Sequence, residues 1–551
     1  MHVLFLTAYL QICRARRAKC DNEKPCSYCR RIGATCSAEP ASATTGFDPA
    51  SLAILTKLEE LQSEVQSLSG RLQSPRSRSQ TSSLVAQNSP HQITQAPVLH
   101  LDRHLQRGNI SQVLAWEIWQ PHEPPQCRAT SEEQDADPAS FVRHTEGLLD
   151  LGLFTGYLDA FFRNVHTLNP VLDEQQIRAR LTKFLLNGIE WDAGSCLLLL
   201  VLANGACSSS FSDSSMAGPA SSRDERCRVN EQALALFDAA EKRKSTLWRS
   251  DYLTQARCHF YSGMFMMVLM RPFDAWRHFL QGLATCQMST APDRDVDPVD
   301  KQHKESIYWS CWKSERELRI ELDLPNFSSL GYDHPIMFPT LPPEVFDQEQ
   351  LRAWYFYLAE ISLWRSEMTA RDTLAESVKQ QPSALESLAE RTMDLETSLA
   401  SWKASLPDAI NLDVGRQSST RDLLHFVLQG RLTYNYEVLT WPFLETLLLF
   451  GAHRTTPAFA LAARGIRVHY DRLSINRPGF YYRHHGTWLM RRSSTRSACI
   501  LLAVARSSSP DLLPTGWESL VSDTIAMLEY WSETPQDEIV IFLKALLSEF
   551  M

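Results

Sequence analysis

Cys13-Arg-Ala-Arg-Arg-Ala-Lys-Cys20-Asp-Asn-Glu-Lys-Pro-Cys26-Ser-Tyr-Cys29-Arg-Arg-Ile-Gly-Ala-Thr-Cys36 is a stretch that cannot fold on apolar burial. Its apolar residues are Ala15, Ala18, Tyr28, Ile32 and Ala34, too few for a core. It holds 5 of the chain's 13 cysteines. Such clustering points either to a disulfide knot or to a thiolate metal site. Cys26-x-x-Cys29 brings two sulfurs to one tetrahedral zinc, and Cys20 and Cys36 stand ready to complete such sites, so metal binding would supply the folding energy. Arg14, Arg16, Arg17, Lys19, Lys24, Arg30 and Arg31 against Asp21 and Glu23 leave a net +5. That charge attracts polyanions and lowers thiol pKa values, which favours metal over disulfide. The odd cysteine count also argues against a secreted disulfide module.

The stretch resembles the fungal Zn2Cys6 binuclear cluster family. Cys13-x6-Cys20-x5-Cys26-x2-Cys29-x6-Cys36 repeats the spacing of that family's second to sixth cysteines, and Arg-x-Arg-Arg-x-Lys and Pro25 stand where the family has them. The resemblance implies two zinc ions sharing six thiolates, with short helices presenting the Cys13–Cys20 loop to the DNA major groove. It makes Arg17 the base reader of a CGG-type triplet, with Arg16 beside it, and Lys19 and Arg14 phosphate contacts. Pro25 shapes the loop between the two zinc half-sites. One departure matters: the family's first cysteine falls at position 10, where this chain has Leu10. By the same resemblance the first and fourth cysteines bridge the metals. Leu10 would therefore leave two three-thiolate sites sharing Cys26, and the chain as written is expected to hold fewer zincs, or hold them weakly.

Residues 1–12, MHVLFLTAYLQI, are atypical before such a motif. They lack the basic start and the small-residue cleavage site of a secretory signal. Leu-Thr-Ala-Tyr-Leu-Gln reads instead as a translated intron end, so the expectation is a start-site error whose true exon restores a cysteine three residues before Cys13. Loss of the cluster is the competing explanation.

Net charge over 551 residues is −9, so the chain outside the basic stretch carries −14, and nucleic acid is expected to meet only the head. A hydrophobic content of 44% with 10% aromatics is globular. No apolar run reaches the roughly 18 residues a bilayer needs, so no membrane partner is expected. Cysteines outside the cluster sit singly in apolar surroundings, as reduced thiols do.

Beyond a short polar linker, Ile54, Leu58, Leu61, Val65, Leu68 and Leu72 recur at alternating spacings of four and three. This is a heptad seam and predicts a dimerising coiled coil over 48–73; one amphipathic helix packed on the body is the alternative. Residues 74–140 read as low-complexity linker, with Val98–Trp119 carrying enough Leu, Ile and Trp to dock on the body. From 141 to 551 the pattern is helical almost throughout, and β-alternation is nearly absent. Helical candidates run Leu148–Val165, Gly188–Cys207, Arg226–Ala240, Leu253–Met270, Ala275–Gln287, Ser306–Leu322, Gln348–Thr369, Leu385–Leu406, Arg421–Gly451, Pro457–Asn476, Thr487–Arg506, Gly516–Trp531 and Asp537–Phe550. A proline-marked corner falls at His166–Asp173, and the acidic stretch Ala291–Asp300 reads as a separator. The expected fold is all-α: a zinc-stapled N-terminal module, a short coiled coil, a disordered linker and one large multi-helix regulatory domain. Leu151–Asp173, Phe260–Gln287, the Tyr308-Trp-Ser-Cys-Trp-Lys-Ser-Glu-Arg-Glu-Leu run with Leu324-Pro, and the stretch from His484 resemble the fungal-specific transcription factor (middle homology) domain.

No P-loop, Gly-x-Gly-x-x-Gly, Gly-x-Ser-x-Gly or His-Glu-x-x-His motif is present, so no enzyme is expected. His484 and His485 are expected at the surface or in a cap. Glu315 and Glu317 are expected in buried ion pairs, and Phe260–Met270 in the core rather than lining an inducer pocket. The C-terminal Leu528–Phe550 is read as either an activation segment or a closing amphipathic helix. Together these features predict a nuclear, DNA-binding regulator of RNA polymerase II transcription. It would bind double-stranded DNA as a homodimer and be open to a small-molecule effector and to the transcription machinery. The alternative is a regulatory or interaction protein whose incomplete cluster no longer binds DNA.

Overall fold

The computed structural model describes residues 27–32, 108–125, 149–211, 231–288, 298–327, 335, 338–339, 347–380, 385–413, 422–451, 454–532 and 537–550. The chain divides into two compact units, 1–93 and 94–551. In the first, one helix is described, α1 (Ser27–Ile32), which carries Arg30 and Arg31 in its last turn, where they complement the negative end of the helix dipole. The heptad seam from Ile54 to Leu72 lies outside the described residues.

The second unit is helical, with no strand among its described residues. Its helices are α2 (Ile110–Leu114), α3 (Phe154–Asn164), α4 (Glu174–Asn187), α5 (Ala193–Ala206), α6 (Glu231–Glu241), α7 (Tyr252–Val268), α8 (Pro272–Met288) and α9 (Pro298–Glu321). They continue as α10 (Gln348–Gln380), α11 (Leu385–Ala404), α12 (Leu423–Phe450), α13 (Pro457–Asn476), α14 (Thr487–Arg506), α15 (Trp517–Trp531) and α16 (Glu538–Ser548). Side-chain caps fix many of the starts: Asp173, Asp192, Asp251, Asp422, Thr456 and Asp537 each accept a first-turn backbone N–H. Gly188 and Gly451, at φ 81° and 73°, end α4 and α12 in a conformation that favours glycine.

Two large apolar clusters organise the body. In one, α5 and α7 are buried nearly all round and pack on α3, α6, α8 and α9. Gly205 sets the closeness of the α3–α5 crossing: a Cβ there would lie 2.0 Å from the Tyr157 carbonyl oxygen. The other is built from α12 to α16, with Trp116, Trp119 and the α2 residues Ile110, Val113 and Leu114 inserted into it. Residues 108–125, inside the stretch read as linker, thus pack with the body, while residues 98–107 of the docking expectation lie outside the described residues. Val540, Phe542, Leu543, Leu546 and Leu547 bury the apolar face of α16, so the C-terminal segment is a closing helix. None of Phe260–Met270 is exposed, and the run is core.

The turn between α3 and α4 shows why its sequence is patterned as it is. The Leu172 N–H donates to His166 Nε2 at 3.2 Å, Arg257 Nε donates to the Val171 carbonyl at 2.8 Å, and Asp173 caps α4. Helix α4 itself was not expected. Only Ile177 and Leu181 of its 14 residues are buried, too weak an apolar stripe to register as periodic.

Candidate functional site

The expected DNA-binding module is described only in part. Cys29 lies on α1, whose Ser27, Arg30 and Arg31 are exposed. Cys13, Cys20, Cys26 and Cys36, and the basic residues Arg14, Arg16, Arg17 and Lys19, lie outside the described residues. Among the described residues no group of three or more His, Cys, Asp and Glu side chains could hold a metal ion. In kind, the five-cysteine donor set fits zinc, since thiolates are its preferred ligands and the neighbouring cations favour ionised thiols. In number it is one short of a six-thiolate cluster.

Residues 11–44 match the fungal Zn(2)-Cys(6) binuclear cluster domain. The chain therefore carries the zinc- and DNA-binding module of fungal transcription regulators, a domain that binds two zinc ions. The match starts one residue after Leu10. No curated protein and no solved structure matches the chain. No helix among the described residues is long and apolar enough to cross a membrane.

Within the helical body a second candidate site stands between the two large apolar clusters. A cavity of about 180 Å³ is walled by α9, α10, α12, α13 and α14 and by the turn at 484–486. Ionisable side chains project into it from all five of these helices: Lys313, Glu317 and Glu321 from α9, Glu360 from α10, Arg431 from α12, Arg472 from α13 and Arg496 from α14. Lys313 donates to Glu360, both buried. Arg431 grips Glu317 with two bonds of 2.9 and 3.1 Å and stacks over Trp364. Glu437 accepts from Arg472 Nε and from Arg496 Nη2, each at 2.6 Å. Glu321 accepts from Arg492 at 2.9 Å and from Arg496 at 3.5 Å. Burial alone would raise the Glu437 carboxyl, but Arg472 and Arg496 outweigh it and hold the pKa at about 2.

Glu315 and Glu317 are both paired, Glu315 accepting from Trp276 Nε1 at 3.1 Å and from Arg319 at 3.0 Å. His484 and His485 differ from the surface reading: both are half-buried and line the cavity. The capping reading holds for His484, whose backbone N–H donates to Thr487 Oγ1 and whose Nδ1 accepts from the Gly486 N–H. Burial, with His485 beside it, pushes His484 down to about 3; burial, with Lys313 and Arg431 nearby, pushes His485 down to about 4. Apart from Glu317, expected in a buried ion pair, sequence reasoning did not find the arginines and carboxylates of the cavity. The available signal was ionisable residues inside apolar helical runs, as with Glu437 in Tyr434-Asn-Tyr-Glu-Val-Leu-Thr-Trp441.

Proposed function

We propose that this protein is a sequence-specific, DNA-binding regulator of RNA polymerase II transcription, acting in the nucleus. In this reading the stretch from Cys13 to Cys36 recognises CGG-type half-sites, the seam from Ile54 to Leu72 pairs two copies, and the helical body is a fungal-type regulatory domain. The observation that carries it is the five-cysteine spacing with its basic loop inside the matched residues 11–44. When bound, zinc supplies the folding energy that so apolar-poor a stretch lacks. Arg17 presents a planar fork that suits the two acceptors of a guanine edge, whereas Lys19 is a point charge suited to phosphate.

Duplex titrations with the full chain test this. Arg17→Ala should lose discrimination at one base pair, about 1–3 kcal/mol, and keep the salt slope. Lys19→Ala should weaken CGG-containing and random duplexes alike and make the slope shallower by about 0.9. Equal loss on both duplexes for Arg17→Ala would remove it as the base reader. Leu10 favours a second reading, a regulatory protein whose incomplete cluster no longer binds DNA; absence of salt-sensitive binding to CGG-containing duplexes would support it.

A further inference from the structure

The cavity in the helical body is lined by four cations, Lys313, Arg431, Arg472 and Arg496, and three carboxylates, Glu317, Glu321 and Glu360. Its ion pairs form two chains. Lys313, Glu360, Arg431 and Glu317 make a balanced set of two cations and two carboxylates. Arg492, which lies off the cavity wall, joins Glu321, Arg496, Glu437 and Arg472 in the other, with three cations on two carboxylates. Arg472 is 5% exposed and donates to Glu437 through Nε, while its terminal nitrogens make no hydrogen bond among the described residues. Glu437 takes Arg496 on its other oxygen, so its single negative charge is shared between two guanidinium groups. Burial and the like charges of Arg496 and Arg431 lower the Arg472 pKa although Glu437 holds the group. A buried guanidinium with a vacant fork is costly unless an anion meets it.

Further groups lining the cavity make no hydrogen bond among the described residues: Asn169 Oδ1, His484 Nε2, the His485 ring and the Ser314 hydroxyl. The rest of the wall sets the apolar Leu168, Ile320, Phe356, Phe426, Leu489 and Met490 beside the polar Tyr434, Asn476 and Ser493. At about 30 Å³ per water, the cavity holds roughly six waters, room for a compact organic molecule but more than a bare inorganic ion fills. Small ligand sites combine apolar walls and a few placed polar groups in this way.

We propose that this cavity binds a small organic carboxylate, its charge taken by the terminal nitrogens of Arg472 and its apolar body lying against Phe356 and Leu489. Such a ligand bridges α9 and α10 to α13 and α14, and so couples the two large apolar clusters of the body. It therefore acts as an effector that stiffens the body by mass action. This inference rests on the body alone and stands whether or not the N-terminal cluster binds DNA.

The test uses the full chain, with thermal unfolding and calorimetric titration against 4-methylpentanoate, succinate, 4-methylpentanamide and inorganic phosphate at matched ionic strength. At least one carboxylate should raise the midpoint saturably, by about 2–5 °C near 100 times its Kd, while the neutral amide has no effect. Gly430→Leu supplies the specificity control. A Cβ at Gly430 meets only Arg472 Nη1, at 3.5 Å, so the larger side chain occupies the cavity without removing a charge. That variant should fold and bind the carboxylate at least tenfold more weakly. Arg472→Met should do the same at a lower starting midpoint. No saturable response to either carboxylate, an equal response to the amide, a response to phosphate alone, or full binding by Gly430→Leu would each overturn the proposal.

Discussion

Arg472 Nε and a carboxylate oxygen of Glu437 lie 2.6 Å apart, with both side chains about 95% removed from solvent. The second Glu437 oxygen takes Arg496 at the same distance, so one carboxylate is shared by guanidinium groups from two other helices. Replacing it with an amide leaves two buried cations facing one another. Glu437→Gln should therefore destabilise the body by about 3–5 kcal/mol in urea titrations, the cost of stripping a partner from a buried pair. The exposed Arg454–Asp511 pair is the contrast, and Asp511→Asn should leave the midpoint where it was. A Glu437→Gln midpoint equal to that of the parent would show the charges to be solvated after all.

Buried histidines predict a second response, to pH. Burial, with smaller electrostatic contributions, pushes His166 down to about 3 and His259, His303 and His469 down to about 4, and His484 and His485 behave alike. Each is neutral when folded and titrates near 6.5 when unfolded, so below pH 6.5 the unfolded chain binds more protons. Stability is present above pH 6.5 and is lost as the pH falls toward 4. At pH 5 a fully buried imidazole such as His469 costs about 2 kcal/mol. Thermal midpoints should thus fall between pH 7 and pH 5, before ordinary carboxylates titrate, and His469→Gln should flatten the fall. A level midpoint across that interval would contradict the burial of these rings.

Helix packing gives a third test. The α3–α5 crossing at Gly205 has backbone, not a movable side chain, where a Cβ would go. Gly205→Ala should cost at least about 1–3 kcal/mol as the two helices are forced apart. At Gly194, on the same helix, the obstruction is the far end of the Arg180 side chain, which can swing aside. Gly194→Ala should be neutral or gain the few tenths to 1 kcal/mol that alanine brings to a helix. Equal losses in chemical denaturation would show that the crossing is not set by Gly205.

Much of the body was legible because its signals are local. Pro457–Asn476 and Thr487–Arg506 were expected with the ends they have, since Thr456 and Pro457 mark one start and Ser507 to Pro510 one stop. The corner at His166 to Asp173 was legible as a proline-marked turn, though not its reason, a histidine nitrogen accepting a backbone N–H. The cavity was not legible, because its partners are far apart in sequence. Arg431 and Glu317 are separated by 114 positions and Arg496 and Glu321 by 175, and no periodicity links them. Helix α4 was hidden by its polar composition, and α9 starts at Pro298, within an acidic stretch read as a separator.

Leu10 governs how much zinc the N-terminal stretch can hold. Five thiolates supply the N-terminal stretch, and the resemblance assigns the missing one a bridging place between two metals. Without it, Cys13, Cys20 and Cys26 serve one zinc and Cys26, Cys29 and Cys36 the other, each with an open fourth position. Structural zinc sites are almost always closed by four protein ligands, and in a stretch with so few apolar residues the metal supplies the folding energy. The chain with Leu10 should therefore retain fewer than two zinc ions after gel filtration, by elemental analysis, and lose them readily to a chelator. Leu10→Cys should retain two, resist the same chelator and gain affinity for CGG-containing duplexes. The Leu10→Ser variant separates ligation from polarity, since a hydroxyl is no substitute for a bridging thiolate and should leave the zinc content unchanged. Two tightly held zinc ions in the chain with Leu10 would show that a donor other than a cysteine at position 10 closes the cluster.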